Sequence, residues 1–253
     1  MFLIIPILAS KKASRLYLIL FNGKQNSFLE YLDWIISAQD SFDFEISFVH
    51  TNSEDKISDR GVRIGDYKDV VENSDVVFSL GYWKKIPKED IEKAALGIVN
   101  FHHSYRLKFQ GRHCATWALI HGEKIHGSTM HFIDEKIDEG DIIDSDYFYI
   151  AEEDVAEDIF LKANRVGLDL LAKNFSKVIK GNSEKSTVHA EQQYSYRARD
   201  LRHEVHISLD EKLFLRNIRA LTFSNMPSPF IVLDGQKVFL KMEKYDDGIL
   251  RKQ

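Results

Sequence analysis

Cysteine is nearly absent from this 253-residue chain, in which Cys114 is the single representative. An intramolecular disulfide is therefore excluded, and so is a zinc site built from several cysteines. Proline and glycine are also scarce, at 4 and 13 residues, which argues against an all-β architecture with many turns. The chain has no Gly-x-Gly, so the glycine-rich loops that bind dinucleotides are disfavoured. From the cysteine usage we expect a cytoplasmic protein.

Excess positive charge and long hydrophobic runs are lacking as well. The formal net charge is -5, whereas proteins that bind nucleic-acid phosphates are usually basic, so we expect no nucleic-acid partner. The apolar run at the start of the sequence is far shorter than the roughly 20 residues that span a membrane. Lys11 and Lys12 follow this run instead of preceding it, which is the reverse of an export signal. We predict a buried strand or packed terminus there, and no membrane partner.

Strand and helix patterns alternate in the first hundred residues. Strands are predicted at Leu16–Phe21, Phe44–Val49, Asp75–Leu80 and Gly97–Phe101, and helices at Phe28–Ala38 and Pro87–Ala95. Phe2–Leu8 is an alternative first strand. Strands separated by helices predict an α/β fold with a Rossmann-like, mostly parallel sheet and helices on both faces.

The second half of the chain continues this pattern and then changes. A helix is predicted at Ala115–His121, strands at Ser128–Asp134 and Asp141–Ile150, and a long helix at Glu152–Lys180. Acidic residues at the start of the long helix and lysines at its end complement the helix dipole, which gives this acidic run a structural explanation. A helix at Leu209–Leu221 and a hairpin at Phe230–Asp234 and Lys237–Met242 follow. We predict one domain over residues 1–182 and a C-terminal helix and β-hairpin appendage over residues 183–253.

Polar residues capable of acid–base chemistry lie near the ends of predicted strands. Asn100 and His102 point to the same side of their strand, and Asp138 follows a later strand. An amide that stabilises an oxyanion, an imidazole that moves protons and a carboxylate that orients it suit acyl or formyl transfer to an amine. The same residues would also serve as a turn cap, a buried polar group and a turn residue. The histidine spacings predict no metal site.

Three segments, Asn100–His102, Ser104–Gly111 and Asp134–Asp141, resemble the formyltransferase family that uses N10-formyltetrahydrofolate. The family pattern is N-x-H, then S-L-L-P-x-x-x-G, then D-x-G-x-D-x-G-D. The match runs without gaps from Asn100 to Asp141, and a weaker similarity covers Asp75–Pro87. Leu107 stands where the family has proline, and Lys136 where it has glycine.

The resemblance implies that Asn100, His102 and Asp138 are catalytic and that N10-formyltetrahydrofolate is the co-substrate, without a metal. The positions that it implies for the folate pocket are Lys84, Lys85, Ile86, Arg112, Asp134, Glu135, Lys136 and Ile137.

The C-terminal part of the sequence bears on the amine that is formylated. Residues 184–253 hold 12 Lys and Arg against 10 Asp and Glu, a net of +2 that is too weak for a surface following tRNA phosphates. Arg106–Trp117 and Ile218–Phe230 resemble sugar N-formyltransferases that act on dTDP-linked 3- or 4-amino dideoxy sugars. The acceptor implied is a nucleotide-linked amino sugar of surface-polysaccharide (O-antigen, lipopolysaccharide) biosynthesis.

Candidate contacts to this acceptor are Tyr194, Tyr196, Arg197, Asn225 and Phe230, because aromatic rings stack on thymine and arginine pairs with diphosphate. The hairpin is also a candidate dimerisation element, so a homodimer is expected. A UDP-linked amino sugar, glycinamide ribonucleotide, hydrolysis of the folate and a non-catalytic scaffold role stay open as alternatives.

Overall fold

The computed structural model describes residues 14–20, 28–51, 57–65, 75–82 and 84–242, and its elements alternate as predicted. A central sheet with strand order β2-β1-β3-β4-β6-β7 is flanked by helices, which is a mixed α/β fold. The strands are β1 (Ser14–Leu20), β2 (Phe44–Thr51), β3 (Val76–Leu80), β4 (Ile98–His102), β5 (Phe109–Gly111), β6 (Ile125–Phe132), β7 (Ile142–Tyr149), β8 (Tyr194–Tyr196), β9 (Phe230–Leu233) and β10 (Gln236–Phe239). The helices are α1 (Leu29–Ala38), α2 (Lys88–Ile91), α3 (Cys114–Ile120), α4 (Ala156–Ile179) and α5 (Glu211–Ala220). The competing strand at Phe2–Leu8 lies outside the described residues.

The described residues up to Asn100, together with residues 174–184, form a first compact unit. In it β1 pairs in parallel with β2 and β3, and β3 pairs in parallel with β4. All five residues of β3 are buried, as expected for a strand inside a parallel sheet. The ring of Phe175 is central to the core, with its centroid 5.0 to 5.7 Å from those of Trp34, Phe44 and Phe78. These ring contacts add to the hydrophobic stabilisation of this unit.

Residues 101–173 and the described residues from Lys185 onward form a second compact unit, so the division between the two units falls within β4 and within α4. Here β6 and β7 are antiparallel, β5 and β8 form a short parallel pair, and β9 and β10 form the predicted hairpin. Apolar side chains of α5 and the hairpin pack with Leu201 and Val205 in a core that includes Ile218 and Ile231. The predicted boundary at residue 182 stays a prediction.

Two predicted helices are shorter in the structure, for local reasons. Helix α2 ends at Ile91, because the chain then turns to bring Leu96 N within 2.7 Å of the Asp75 carbonyl. Helix α4 begins at Ala156 and not at Glu152, because Asp154 is buried and accepts hydrogen bonds from Ala151 N (2.9 Å) and Lys162 Nζ (2.6 Å). None of the described helices combines the length and apolar composition needed to cross a membrane.

Candidate active site

His102, the last residue of β4, is buried with 8% of its surface exposed. Its Nε2 donates a hydrogen bond to the Phe109 carbonyl (2.6 Å) and lies 3.4 Å from Cys114 Sγ. Its Nδ1 lies 3.4 Å from Asp138 Oδ2. A carbonyl can only accept, so Nε2 carries a hydrogen, and a carboxylate opposite Nδ1 favours a hydrogen there too. The geometry therefore favours a charged imidazolium.

The electrostatics of His102 agree with this geometry. Burial opposes its charge, but the Asp138 carboxylate, the Cys114 sulfur and the Phe109 carbonyl outweigh burial and raise the pKa of His102 from 6.5 to about 10. The neighbouring half-buried His103 and buried His126 behave in the opposite way, since loss of solvation lowers the pKa of each to about 3. At neutral pH His102 is therefore the charged member of these three histidines.

Asp138 supplies the charge that His102 faces. Its Oδ2 accepts a hydrogen bond from Gly111 N (2.8 Å), and its backbone carbonyl accepts one from Gln110 Nε2 (3.3 Å). Its φ of +53° is in the left-handed region, which is uncommon outside glycine and occurs often at functional sites. His131 Nε2 lies 3.8 Å from the other carboxylate oxygen, and burial lowers the pKa of His131 to about 4, so this second histidine is neutral.

A buried serine in the loop between His102 and β5 stabilises that loop through two hydrogen bonds. Ser104 Oγ accepts a hydrogen bond from Phe109 N (2.8 Å), and its carbonyl accepts one from Thr129 Oγ1 (2.6 Å). Leu107, which stands where the resembling family has proline, is fully buried and has a φ of +55°. Proline is confined to φ near -65°, so this backbone does not accommodate the family's residue. The departure from the motif is thus a change in loop conformation.

The short strand β8 pairs with β5, and its two tyrosines stack on aromatic rings of the same unit. Arg112 N donates to the Tyr196 carbonyl (3.0 Å), and the Tyr196 ring stacks on Trp117 with centroids 3.8 Å apart and planes 9° apart. The Tyr196 hydroxyl is 2.7 Å from His121 Nε2. The Tyr194 ring is stacked 5.5 Å from that of Phe109. One face of each tyrosine is therefore covered from within the protein.

The structure brings only some of the predicted site residues together. His102 and Asp138 meet within the second unit, while Asn100 is the last residue of the first unit, two positions before His102 on β4. Strand alternation gives these two side chains the same orientation. In the first unit Lys84 and Lys85 are exposed and Ile86 is buried. The roles assigned to all of these residues stay predictions.

The acceptor candidates lie in the C-terminal part of the second unit. Arg197 and Asn225 are exposed, and Arg197 N donates to Asp200 Oδ2 (2.6 Å). The ring of Phe230 is 5.9 Å from that of Phe239 and 4.4 Å from Lys237 Nζ. Contact of these residues, and of the two stacked tyrosines, with a substrate stays a prediction.

Several residues that shape the site do so in ways that sequence reasoning missed. Phe109 and Gly111 act through their backbone, and Gln110 and Cys114 through contacts that no motif announces. His131 alone carried a signal, because it is a histidine inside a predicted strand next to the Asp138 loop. The motif marks Gly111 only as a glycine, and the backbone contact of Phe109 does not depend on its side chain, so the sequence alone shows neither contact.

The loop before Asp138 is open to solvent. Asp134 to Ile137 are exposed, and Ile137 exposes 60% of its surface although it is apolar. The role of these residues in holding a folate stays a prediction. Within the described part of the chain, no group of three or more His, Cys, Asp or Glu residues is placed to hold a metal ion.

Comparison with known sequences also indicates a formyl transferase. The family described as Formyl transferase matches residues 44–174, which is just over half of the chain. A methionyl-tRNA formyltransferase of Thermodesulfovibrio yellowstonii is 38% identical over 109 residues, which cover 43% of this chain. The chain spans only 35% of that relative's length.

Solved structures match a larger share of this chain than the sequence relative does. A 4-N formyltransferase from Francisella tularensis gives a TM-score of 0.77 at 17% identity, covering 93% of this chain and all of the other. The N-formyltransferase from Helicobacter canadensis, in complex with folinic acid and dTDP-3-aminofucose, gives 0.71 at 18% identity, covering 89% and 86%. At these identities the likeness establishes the fold.

Proposed function

This chain belongs to the formyl transferase family, and we propose that it transfers the formyl group of N10-formyltetrahydrofolate to the amino group of a dTDP-linked 3- or 4-amino dideoxy sugar. The observation that carries the proposal is the pairing of the buried His102, at the end of β4, with Asp138, in which Nδ1 of the imidazole lies 3.4 Å from Oδ2 of the carboxylate. Such a reaction belongs to the synthesis of surface-polysaccharide sugars.

His102 has two roles in the proposed chemistry. Its imidazolium stabilises negative charge on the formyl oxygen while the amine attacks, as an oxyanion donor does. It then gives one proton to the leaving nitrogen and recovers one from the newly formylated nitrogen, so its protonation is unchanged over the cycle. Asp138 keeps the imidazole charged, and the Asn100 amide is the proposed second donor to the oxygen.

The donor, when bound, supplies a formyl group on a nitrogen that can leave. Residues of the loop at 134–137 are proposed to hold its pterin, with the exposed Ile137 against the ring. Lys84, Lys85, Ile86 and Arg112 are proposed to complete the pocket, as the family resemblance implies. No covalent nucleophile is required, because the amine attacks directly.

The choice of acceptor is supported by one solved structure and by charge. The N-formyltransferase from Helicobacter canadensis, which shares the fold over 89% of this chain, was solved with folinic acid and dTDP-3-aminofucose. The net charge of this chain, -5, with only +2 over residues 184–253, disfavours a tRNA acceptor. The sequence likeness to methionyl-tRNA formyltransferases nevertheless makes that acceptor the rival to test.

The C-terminal part is proposed to serve acceptor binding and dimerisation. Tyr194 and Tyr196 belong to β8, and Arg197 follows it. Asn225 precedes the hairpin, and Phe230 is its first residue. On the hairpin, Leu233 and Phe239 expose 45% and 64% of their surface. A second copy of the chain is the proposed cover for this face, because an isolated hairpin needs a packing partner. Sedimentation velocity of the whole chain tests this, and a monomer at micromolar concentration contradicts it.

The function is tested by offering the chain N10-formyltetrahydrofolate with one acceptor at a time. The acceptors are dTDP- and UDP-linked amino sugars, glycinamide ribonucleotide and methionyl-tRNA, and the readouts are tetrahydrofolate release and the mass of the product. Formylation of a dTDP-linked amino sugar is expected. Turnover with methionyl-tRNA or glycinamide ribonucleotide alone contradicts the proposed acceptor, and release of tetrahydrofolate without any acceptor indicates a hydrolase.

His102→Asn is the matched control for the chemistry. Asparagine retains a donor but cannot transfer a proton, so we expect turnover to fall by about 10²-fold or more. Circular dichroism and melting temperature show whether the variant is folded. A folded variant with near-normal turnover removes His102 from the mechanism.

A further inference from the structure

The three residues of β5 touch both members of the His102–Asp138 pair. Phe109 receives the hydrogen bond from His102, and Gly111 N donates one to the Asp138 carboxylate. Between them, Gln110 is buried with 6% of its surface exposed. Its Nε2 donates to the backbone carbonyl of Asp138 at 3.3 Å. One short strand thus holds the imidazole, the carboxylate and the backbone that carries the carboxylate.

The backbone of Asp138 needs such a restraint. A non-glycine residue in the left-handed region is strained and persists only when its surroundings fix it. The preceding residues, Asp134 to Ile137, are exposed, so this side of the turn contributes little packing. Without the bond from Gln110 the Asp138 peptide can rotate toward the right-handed region. That rotation would carry the carboxylate away from His102.

We propose that Gln110 is a positioning residue, whose side-chain amide holds Asp138 in the left-handed conformation that keeps the carboxylate against His102. The family motif does not supply this role, because it leaves the position open. The effect on turnover rests on the proposed function, whereas the effect on the charge of His102 does not.

A measurement of the charge on His102 distinguishes a positioning role of Gln110 from a merely structural one. The titratable groups near His102 are Asp138, Cys114 and three histidines, namely His103, His126 and His131. Asp138 is the group that Gln110 touches, and its carboxylate raises the pKa of His102. Loss of packing alone would lower stability without moving that carboxylate.

The test compares Gln110→Leu with the wild type in the full chain. Leucine keeps the approximate volume and removes the donor. Histidine ring nitrogens, labelled with ¹⁵N, are followed by NMR from about pH 6 to about pH 11, with His102 assigned by its absence in His102→Asn. We expect the midpoint of the His102 titration to fall by about one pH unit or more, and kcat to fall about 10-fold with KM nearly unchanged.

Gln193→Leu is the matched control. Gln193 is also a glutamine that donates through Nε2 to a backbone carbonyl, that of Leu107 at 3.2 Å, but it does not touch Asp138. We expect it to leave both the titration and kcat at wild-type values. Gln110→Met is the second variant if Gln110→Leu melts at a much lower temperature, because methionine adapts to irregular cavities.

The results distinguish the two proposals. An unchanged His102 titration in a folded Gln110 variant, or an equal shift in Gln193→Leu, overturns the positioning role. A lowered midpoint in the Gln110 variants alone supports it, even if the wild type formylates no acceptor. In that last case the proposed function fails and the positioning role stands.

Discussion

Replacing Gly111 by alanine tests how closely β5 and β8 approach each other. Gly111 has a φ of +82°, and a Cβ built on its backbone lies 2.1 Å from the Tyr196 carbonyl oxygen. Contacts of Cβ under 3.0 Å are essentially never observed, so one of the two strands must move by about 1 Å. The atom in the way belongs to the backbone and cannot rotate aside.

The expected loss of stability has two parts. The left-handed conformation costs alanine roughly 1–2 kcal/mol. Separation of the strands breaks the bonds from Arg112 N to the Tyr196 carbonyl (3.0 Å) and from Tyr194 N to the Lys108 carbonyl (2.8 Å), each of which contributes about 1 kcal/mol. We therefore expect Gly111→Ala to lower the free energy of unfolding by about 3–4 kcal/mol.

Gly235→Ala is the control that isolates the contact. Gly235 has a similar φ of +72°, and a Cβ added to it would meet nothing within 4 Å. The backbone cost is shared and the collision is absent, so we expect a loss of roughly 1–2 kcal/mol.

Urea unfolding of both variants provides the comparison, with Trp117 as the sole tryptophan after the other two are replaced by phenylalanine. Trp117 stacks 3.8 Å from Tyr196, so its fluorescence reports on β8 directly. Equal losses in the two variants would refute the reasoning, because they would mean that the close approach of β5 and β8 has no energetic weight.

Two further predictions concern charge and loop conformation. The folded-state pKa of His102, about 10, is above its unfolded value of 6.5, so the stabilisation is complete below about pH 6.5 and is lost as the pH rises through about 10. The difference in unfolding free energy between wild type and Asp138→Asn should shrink over that interval, and a constant difference would contradict the pairing. Leu107→Pro should lower the melting temperature sharply, because φ is +55° and Leu107 N donates to the Ser104 carbonyl; an unchanged melting temperature would contradict this.

The sequence predicts most of the regular elements because their signals are local. Strand β4 is predicted at Gly97–Phe101 and lies at Ile98–His102, and the hairpin lies where the apolar runs flank Gly235. The early end of α2 and the late start of α4 are not predictable in this way. They depend on where Leu96 and Asp154 find partners, and helical periodicity does not contain this information.

Strand β8 shows more clearly which elements a sequence pattern does not predict. Its three residues, Tyr194 to Tyr196, are too short for a periodic pattern, and their strand character comes from pairing with β5. The same holds at the site. The motif indicates His102 and Asp138, but the support from β5 consists of two backbone groups and one side chain that the motif leaves variable.

The pairing of β5 with β8 also has a consequence for how the chain acquires its structure. Phe109 and Tyr194 are partners in the register although 85 positions separate them. Closing so long a loop is slow compared with forming a hairpin, and residues leave the ribosome in order. During synthesis β5 therefore has no strand partner among the described residues until residue 196 has emerged. The strand that holds His102 and Asp138 is completed late, and a nascent chain that stalls before β8 would contain the family motif without a fully supported site.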